Sequence, residues 1–207
     1  VQPFETIRGA AVPLLRANID TDIIIRIERL TQGDRSRLGE YALEALRFLP
    51  DGGADPASPF NRPRYQGAPI LIAGRNFGCG SSREGAVWAL WQMGLRAIIA
   101  ESFGDIFYAN CFQNGLLPIR LPEPEVERLA ALAETDRAAF TVDLAREAIT
   151  LPDGSEITFA TDRARREALL VGLDDIGLSL RDVDAIRAWQ AADQGERPWV
   201  WQAADVA

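Results

Sequence analysis

The residues best suited to chemistry lie in one stretch, Gly74-Arg-Asn-Phe-Gly-Cys-Gly-Ser-Ser-Arg-Glu84. Gly74, Gly78 and Gly80 let the backbone turn sharply and approach a ligand closely. Ser81 falls where a helix is expected to begin. Free N–H groups and the positive end of a helix dipole suit an anion there. Arg83 adds a planar fork that matches a carboxylate or phosphate. The expected chemistry is the grip of a small acid, with Ser81 acting on it. Other readings stay open: Ser81 and Glu84 also fit a Ser-x-x-Glu capping box, and Arg83 also fits a solvated helix arginine. The glycine pattern matches neither GxGxxG nor a P-loop.

Absent residue types narrow the chemistry. The chain has no histidine. That removes Ser-His-Asp and Cys-His catalysis, His-ligated zinc and an imidazole base. All 22 basic residues are arginine, so Schiff-base chemistry and a Walker lysine are excluded. Cys79 and Cys111 are the only cysteines and form no CxxC pair, so no zinc or iron–sulfur site built by this chain alone is expected. A small filler role for Cys79 and a buried helix position for Cys111 are the expected readings. So few cysteines fit a reducing compartment, and a cytoplasmic location is expected. The net charge of −8, with no basic stripe, argues against nucleic acid or a membrane surface as partner. No run is long and apolar enough to span a bilayer, and no secretory leader is legible in the opening residues.

The elements that must position the loop follow from periodicity. Ile70–Ala73 reads as a short buried strand, 82–93 as a helix stopped by Gly94, and Ala97–Ala100 as a strand. A helix over 104–115 and a strand over 116–121 come next. Alternating strands and helices with short loops imply parallel pairing, with the ligand at the carboxyl ends of the strands. Upstream, residues 4–15 predict one or two strands. Asn18-Ile-Asp-Thr-Asp22 reads as a polar turn, with Ile23–Ile25 as an apolar strand beside it. Leu38–Phe48 reads as a helix, and 50–69 as a long loop crowded with proline and glycine. Downstream, 123–135 reads as an amphipathic helix. Residues 140–144, 148–151 and 156–160 read as antiparallel strands around a Pro152-Asp-Gly-Ser155 turn. Residues 163–192 are helical, and 195–207 form a tail whose Trp199 and Trp201 need something to dock on.

Taken together, three segments resemble a known family: Asn18-Ile-Asp-Thr-Asp-Ile-Ile-Ile25, Asn76-Phe-Gly-Cys-Gly-Ser-Ser-Arg-Glu84, and the run from Ala100 through Glu101, Ser102 and Phe103 to Ile119. They resemble, in order, the swivel domain of the aconitase family, and within it the free-standing small subunits of isopropylmalate dehydratases. The match is strong over residues 4–121. The resemblance implies an α/β fold, a swivelling β/β/α-type domain with a mixed sheet over residues 1–161 and a C-terminal helical extension over 162–207. That extension would pack on the domain or on a partner.

The same resemblance implies a hydro-lyase of leucine biosynthesis that interconverts 2- and 3-isopropylmalate by loss and return of water. It acts only with a large subunit, as a heterodimer or higher assembly, on a small dicarboxylic hydroxy acid. A [4Fe–4S] cluster belongs to that large subunit, with no metal on this chain. Ser81 would be the base and Asp22 a second catalytic residue. Arg83, Arg29, Arg26, Ser82 and Asn76 would bind substrate, with Arg29 slightly preferred over Arg26 as the arginine that follows the Thr-Asp turn. One departure stands out: relatives commonly continue Ser-Ser-Arg-Glu with histidine, where this chain has Gly85. Arg26-Ile-Glu-Arg29 is also not the commonest form in a segment where relatives differ in substrate choice. A paralogous hydro-lyase for methylmalate/citraconate or dimethylmalate, or a non-catalytic anion-binding or regulatory module, are the alternatives.

Overall fold

The structure, a computed structural model, describes residues 1–31, 34–135 and 138–201. Its centre is a parallel sheet of four strands in the order β2 (Ala11–Leu14), β3 (Ile70–Ala73), β4 (Ala97–Ala100) and β5 (Leu117–Arg120). β3 and β4 are buried at every residue, as their unbroken apolar runs require of strands covered on both faces. A second sheet, wholly antiparallel, joins β1 (Ile7–Gly9), β6 (Phe140–Asp143), β7 (Ala148–Thr150) and β8 (Glu156–Thr158). The expected mixture of parallel and antiparallel strands is present, divided between two sheets of opposite character. The parallel strands have helical crossovers, whereas β6, β7 and β8 have short turns that only antiparallel neighbours can use.

Alternation along the strands sorts the core. Leu71 and Ala73 face one apolar cluster with Ala86, Val87, Ala89 and Leu90 of α5 (Gly85–Gln92). Ile70 and Ile72 face the other, filled by Leu129 and Ala130 of α7 (Glu123–Ala133) and by Phe140, Val142 and Ile149 of the antiparallel sheet. α6 (Asp105–Gln113) joins β4 to β5. α8 (Arg163–Val171) adds Leu169 to the second cluster, and the Leu169 carbonyl accepts from Phe4 N–H at 2.9 Å. α9 (Asp175–Ser179) and α10 (Val183–Glu196) follow, so the stretch 163–192 is helical as expected, in three helices with breaks between them. Trp201 Nε1 donates to Asp193 of α10 at 2.8 Å, while Trp199 remains exposed. Among the described residues no helix is long and apolar enough to cross a membrane.

Three local expectations are corrected upstream and beside the loop. Ile23–Ile25 is not a strand: α1 (Thr21–Ile24) is a helical turn started by Asp20, whose Oδ1 accepts from Ile23 N–H at 2.7 Å. A good N-cap outweighs the strand preference of the isoleucines. The 38–48 helix is two turns, α3 (Leu38–Tyr41) and α4 (Glu44–Arg47), separated because Leu43 adopts a left-handed φ of 54°. Lastly, α5 begins at Gly85 rather than at residue 82. A short helix, α2 (Ile27–Thr31), lies between α1 and α3.

Candidate active site

Two loops meet at the carboxyl ends of β2 and β3. Past its last residue β3 continues into Gly74–Glu84, and β2 continues into Leu15–Asp20. The parallel pairing persists as an isolated bridge between Asp20 and Cys79. Gly78 N–H donates to the Ile19 carbonyl at 2.7 Å and Thr21 N–H to the Cys79 carbonyl at 2.9 Å. The β4 end joins from the other side: Phe77 N–H donates to the Ser102 carbonyl at 3.0 Å, and Gly104 N–H to the Phe77 carbonyl at 2.9 Å. Phe77 is fully buried and meets Phe103 and Phe107 edge-on, with centroids 6.5 and 5.5 Å away. Burying one phenylalanine contributes about 1.5–3 kcal/mol, which anchors an otherwise polar loop.

Around this anchor the polar groups converge. Ser81 Oγ lies 2.9 Å from Thr21 Oγ1, and Thr21 Oγ1 is also 3.2 Å from the Ser81 carbonyl, to which it can donate. Arg83 Nη1 donates to Asp22 Oδ1 and, at 3.2 Å, to the Ile25 carbonyl. Ser81, Ser82 and Asp22 are exposed, so the site opens outward. Ser81 is not the helix cap expected of a capping box. Its hydroxyl is turned toward Thr21, and Glu84 Oε1 instead accepts from Asn114 Nδ2 at 2.8 Å. The Arg83 N–H to Ser81 carbonyl bond, 2.8 Å, closes a turn before α5 starts.

The other expected site residues sort into two places. Asn76, at a left-handed φ of 57°, donates through Nδ2 to Asn18 Oδ1 at 2.8 Å and through its N–H to Ser102 Oγ at 2.9 Å. It ties the loops together. Arg29 donates Nε and Nη2 to Glu44 Oε2 at 3.1 and 2.9 Å and lies 4.2 Å over the Tyr41 ring. The Glu44 bond raises its pKa above the ordinary arginine value. Arg26 is 3.8 Å from Glu44 Oε1. Both line an open cavity of about 750 Å³ with Tyr41, Ala45, Phe48 and Leu49. None of Thr21, Asp22, Ser81 and Arg83 lines this cavity, although Arg83 bonds the carbonyl of Ile25, the residue before Arg26.

Cys79 is a partly covered thiol whose pKa is raised by burial and by the nearby Asp20 carboxylate. Cys111 is fully buried and pushed well up by the same desolvation. Neither presents a thiolate. Among the described residues no group of three or more Cys, Asp or Glu could hold a metal, so the donor set here does not suit a cluster. Thr21 is the functional candidate that sequence reasoning passed over. Its only signal was a hydroxyl between two aspartates in a turn beside the glycine loop.

The chain is similar to known proteins. Residues 1–124 match the aconitase C-terminal domain family, and residues 175–200 match the C-terminal domain of the 3-isopropylmalate dehydratase small subunit. The 3-isopropylmalate dehydratase small subunit of Rhodospirillum centenum is 49% identical over 200 residues, covering 96% of this chain and 98% of the relative. That of Methylibium petroleiphilum is 49% identical over 210 residues, covering 97% of each. A crystal structure of 3-isopropylmalate dehydratase (leuD) from Methanocaldococcus jannaschii aligns with a TM-score of 0.65 at 28% identity, over 90% of this chain and 99% of that one. With its glycine loop, its Thr-Asp turn and near-half identity along almost its whole length, the chain belongs to the 3-isopropylmalate dehydratase small-subunit family, built on the aconitase C-terminal domain.

Proposed function

We propose that this chain supplies the base and a carboxylate clamp for the interconversion of 2- and 3-isopropylmalate in leucine biosynthesis, as one half of a hydro-lyase. The observation that carries the reading is the outward-open meeting of Ser81, Asp22 and Arg83 at the carboxyl ends of β2 and β3. The base role of Ser81 follows the family resemblance, in a chain that has no histidine or lysine to do that work. Ser81 Oγ, its own proton having passed to solvent base, accepts hydrogen from the carbon next to a substrate carboxylate. The C–H electron pair becomes the double bond as the hydroxyl departs from the neighbouring carbon. Arg83 offers its remaining donors to a carboxylate, held in place by Asp22 and the Ile25 carbonyl. Arg26 and Arg29 line a separate cavity with Phe48 and Leu49, where Glu44 engages both; in this reading one of them leaves Glu44 for a second substrate carboxylate, with the apolar walls beside a branched alkyl group. Ser82 and Asn76 complete the loop's polar rim.

From the family resemblance, the reading also includes a large subunit that bears an iron–sulfur cluster; the outward opening of the site leaves room for such a second surface, which would exclude water. When bound there, the cluster supplies a Lewis acid for the departing hydroxyl. The test is reconstitution: this chain and the large subunit from the same source are mixed anaerobically. The ultraviolet absorbance of the unsaturated intermediate is followed with 2-isopropylmalate, 3-isopropylmalate and methylmalate-type acids. Turnover of isopropylmalate that requires both chains is expected. Turnover confined to a smaller acid would move the substrate, and a complex with no turnover of any of these acids would refute the reading.

A further inference from the structure

Thr21 is a polar side chain with almost no exposure, 1%, in the first turn of α1. A buried hydroxyl is retained at a cost unless its hydrogen bonds are made. Both of its contacts lead to one residue: Ser81 Oγ at 2.9 Å and the Ser81 carbonyl at 3.2 Å. The backbone holds this pairing in register, since Thr21 N–H donates to the Cys79 carbonyl at 2.9 Å. Gly80, at φ 94°, brings the chain round between them, and a β-carbon there would come within 3.6 Å of Thr21 Oγ1.

We infer that Thr21 is the positioning residue of the base: a hydroxyl that aims Ser81 Oγ and, by turning its own O–H, stabilises it once deprotonated. This rests on the reading of Ser81 as the base. The geometry admits two complementary states without moving a heavy atom. While Ser81 Oγ keeps its proton, it donates to Thr21 Oγ1, and Thr21 donates to the Ser81 carbonyl. Both hydroxyls are then satisfied, and the lone pairs of Ser81 Oγ are free for the outside. When the Ser81 proton passes to a solvent hydroxide ion, forming water and leaving the alkoxide, the Thr21 O–H turns from the carbonyl to Oγ. A hydrogen bond to an ionised oxygen is roughly twice as strong as a neutral one. The burial of Thr21 excludes the water that would otherwise compete for it. When Ser81 then takes the substrate proton, its new O–H points back at Thr21, and the Thr21 O–H returns to the Ser81 carbonyl. Charged groups close to the pair are Asp20 and Asp22 on the α1 turn and Arg83 on the loop. α5 itself carries none. Thr21 is the side chain that the structure shows within donating distance of Ser81 Oγ.

The test uses the reconstituted two-subunit enzyme with Thr21→Val, Thr21→Ser and Ser81→Ala. Valine keeps the volume and the backbone bond and removes the hydroxyl; serine restores it. Thr21→Val is expected to lower kcat about 10- to 100-fold, the range of general-base contributions, with KM changed less than about twofold. The primary deuterium isotope effect on substrate labelled at the carbon that loses its proton should rise, because proton abstraction becomes more fully rate-limiting. Thr21→Ser should recover most of the rate and the original isotope effect. A kcat and isotope effect unchanged in Thr21→Val would overturn the inference while Ser81→Ala remained inactive. A rate loss with an unchanged isotope effect, or with no rescue by serine, would show a role in folding alone and would also overturn it. Full turnover in Ser81→Ala would remove the base reading, and this inference with it.

Discussion

Gly85 and Leu30 share one space: a β-carbon on Gly85 would lie 2.5 Å from Leu30 Cδ2 and 2.9 Å from Cδ1. The position where the family resemblance leads one to expect histidine is here filled from the opposite side, by a leucine of α2. This gives the Gly85 departure a packing explanation. Gly85→His alone is expected to destabilise by about 1–3 kcal/mol through overpacking. Adding Leu30→Ala should recover part of that loss. A double-mutant cycle by urea unfolding should give a coupling of at least about 0.5 kcal/mol between the two sites. Additive effects would show that the two side chains do not compete.

Gly78 is the tightest point of the loop. It has a φ of 70°, and a β-carbon there would run into the Phe107 ring. Left-handed backbone costs a non-glycine residue about 1–2 kcal/mol, and forcing atoms into a packed core about 1–3 kcal/mol more. Gly78→Ala should therefore lower stability by about 2–5 kcal/mol in urea unfolding. A loss below about 1 kcal/mol would mean that the loop shifts freely over the aromatic cluster.

Arg83 is held at 17% side-chain exposure while its partner Asp22 is at 61%. Although the guanidinium is mostly covered, its carboxylate partner is exposed and solvent-screened, so the pair contributes little to stability, about 0–1 kcal/mol. Asp22→Ala should thus leave the urea midpoint nearly unchanged but raise KM, because Arg83 loses its orientation. Arg83→Lys replaces a planar fork by a point charge. Losing a charge-assisted bond of about 1.5–3 kcal/mol predicts a roughly 10- to 150-fold lower kcat/KM. Normal kinetics in Arg83→Lys would exclude the carboxylate clamp.

The C-terminal segment closes on Asp193. Its carboxylate is held below the usual range, first by the bond from Trp201 Nε1 and then by Arg197, with burial opposing. A lowered folded value means that the group stabilises the segment above its unfolded pKa, about 3.9, and that this contribution is lost as pH falls through the folded value. Trp201 emission, taken as the difference from a Trp201→Phe variant, should be constant at neutral pH and shift to the red in acid below about pH 3.9. Asp193→Asn should bring that shift to neutral pH. If the difference emission ignores both changes, Trp201 does not dock on Asp193.

Much of the scaffold is legible in the residues. β3 and β4 have the bounds that their apolar runs predict, because four fully apolar residues flanked by Pro69, Gly74, Arg96 and Glu101 admit little else. α7 and the 140–158 strands follow equally from local pattern. Local pattern fails where a cap or a rare conformation decides. Asp20 turns Ile23 and Ile24 into helix, and Leu43 breaks the expected 38–48 helix. The Ser-x-x-Glu signature misleads for a related reason. Both side chains find better partners, Thr21 and Asn114, from segments distant in sequence.

By itself the sequence determined the chemistry available. With no histidine or lysine, and with Ser81 and Arg83 on a glycine loop after a buried strand, it offered a hydroxyl and a guanidinium facing a small acid. Those limits depend only on which side chains exist and on local backbone preference. Only the tertiary structure decided which groups meet. Thr21 and Ser81 are 60 residues apart and come within 2.9 Å because β2 and β3 pair in parallel and end together. Arg26 and Arg29, a few residues beyond Thr21, are drawn instead to Glu44 and a separate cavity wall. Strand order and register set these distances, and they arise from the balance of burial over the whole core rather than from any single segment.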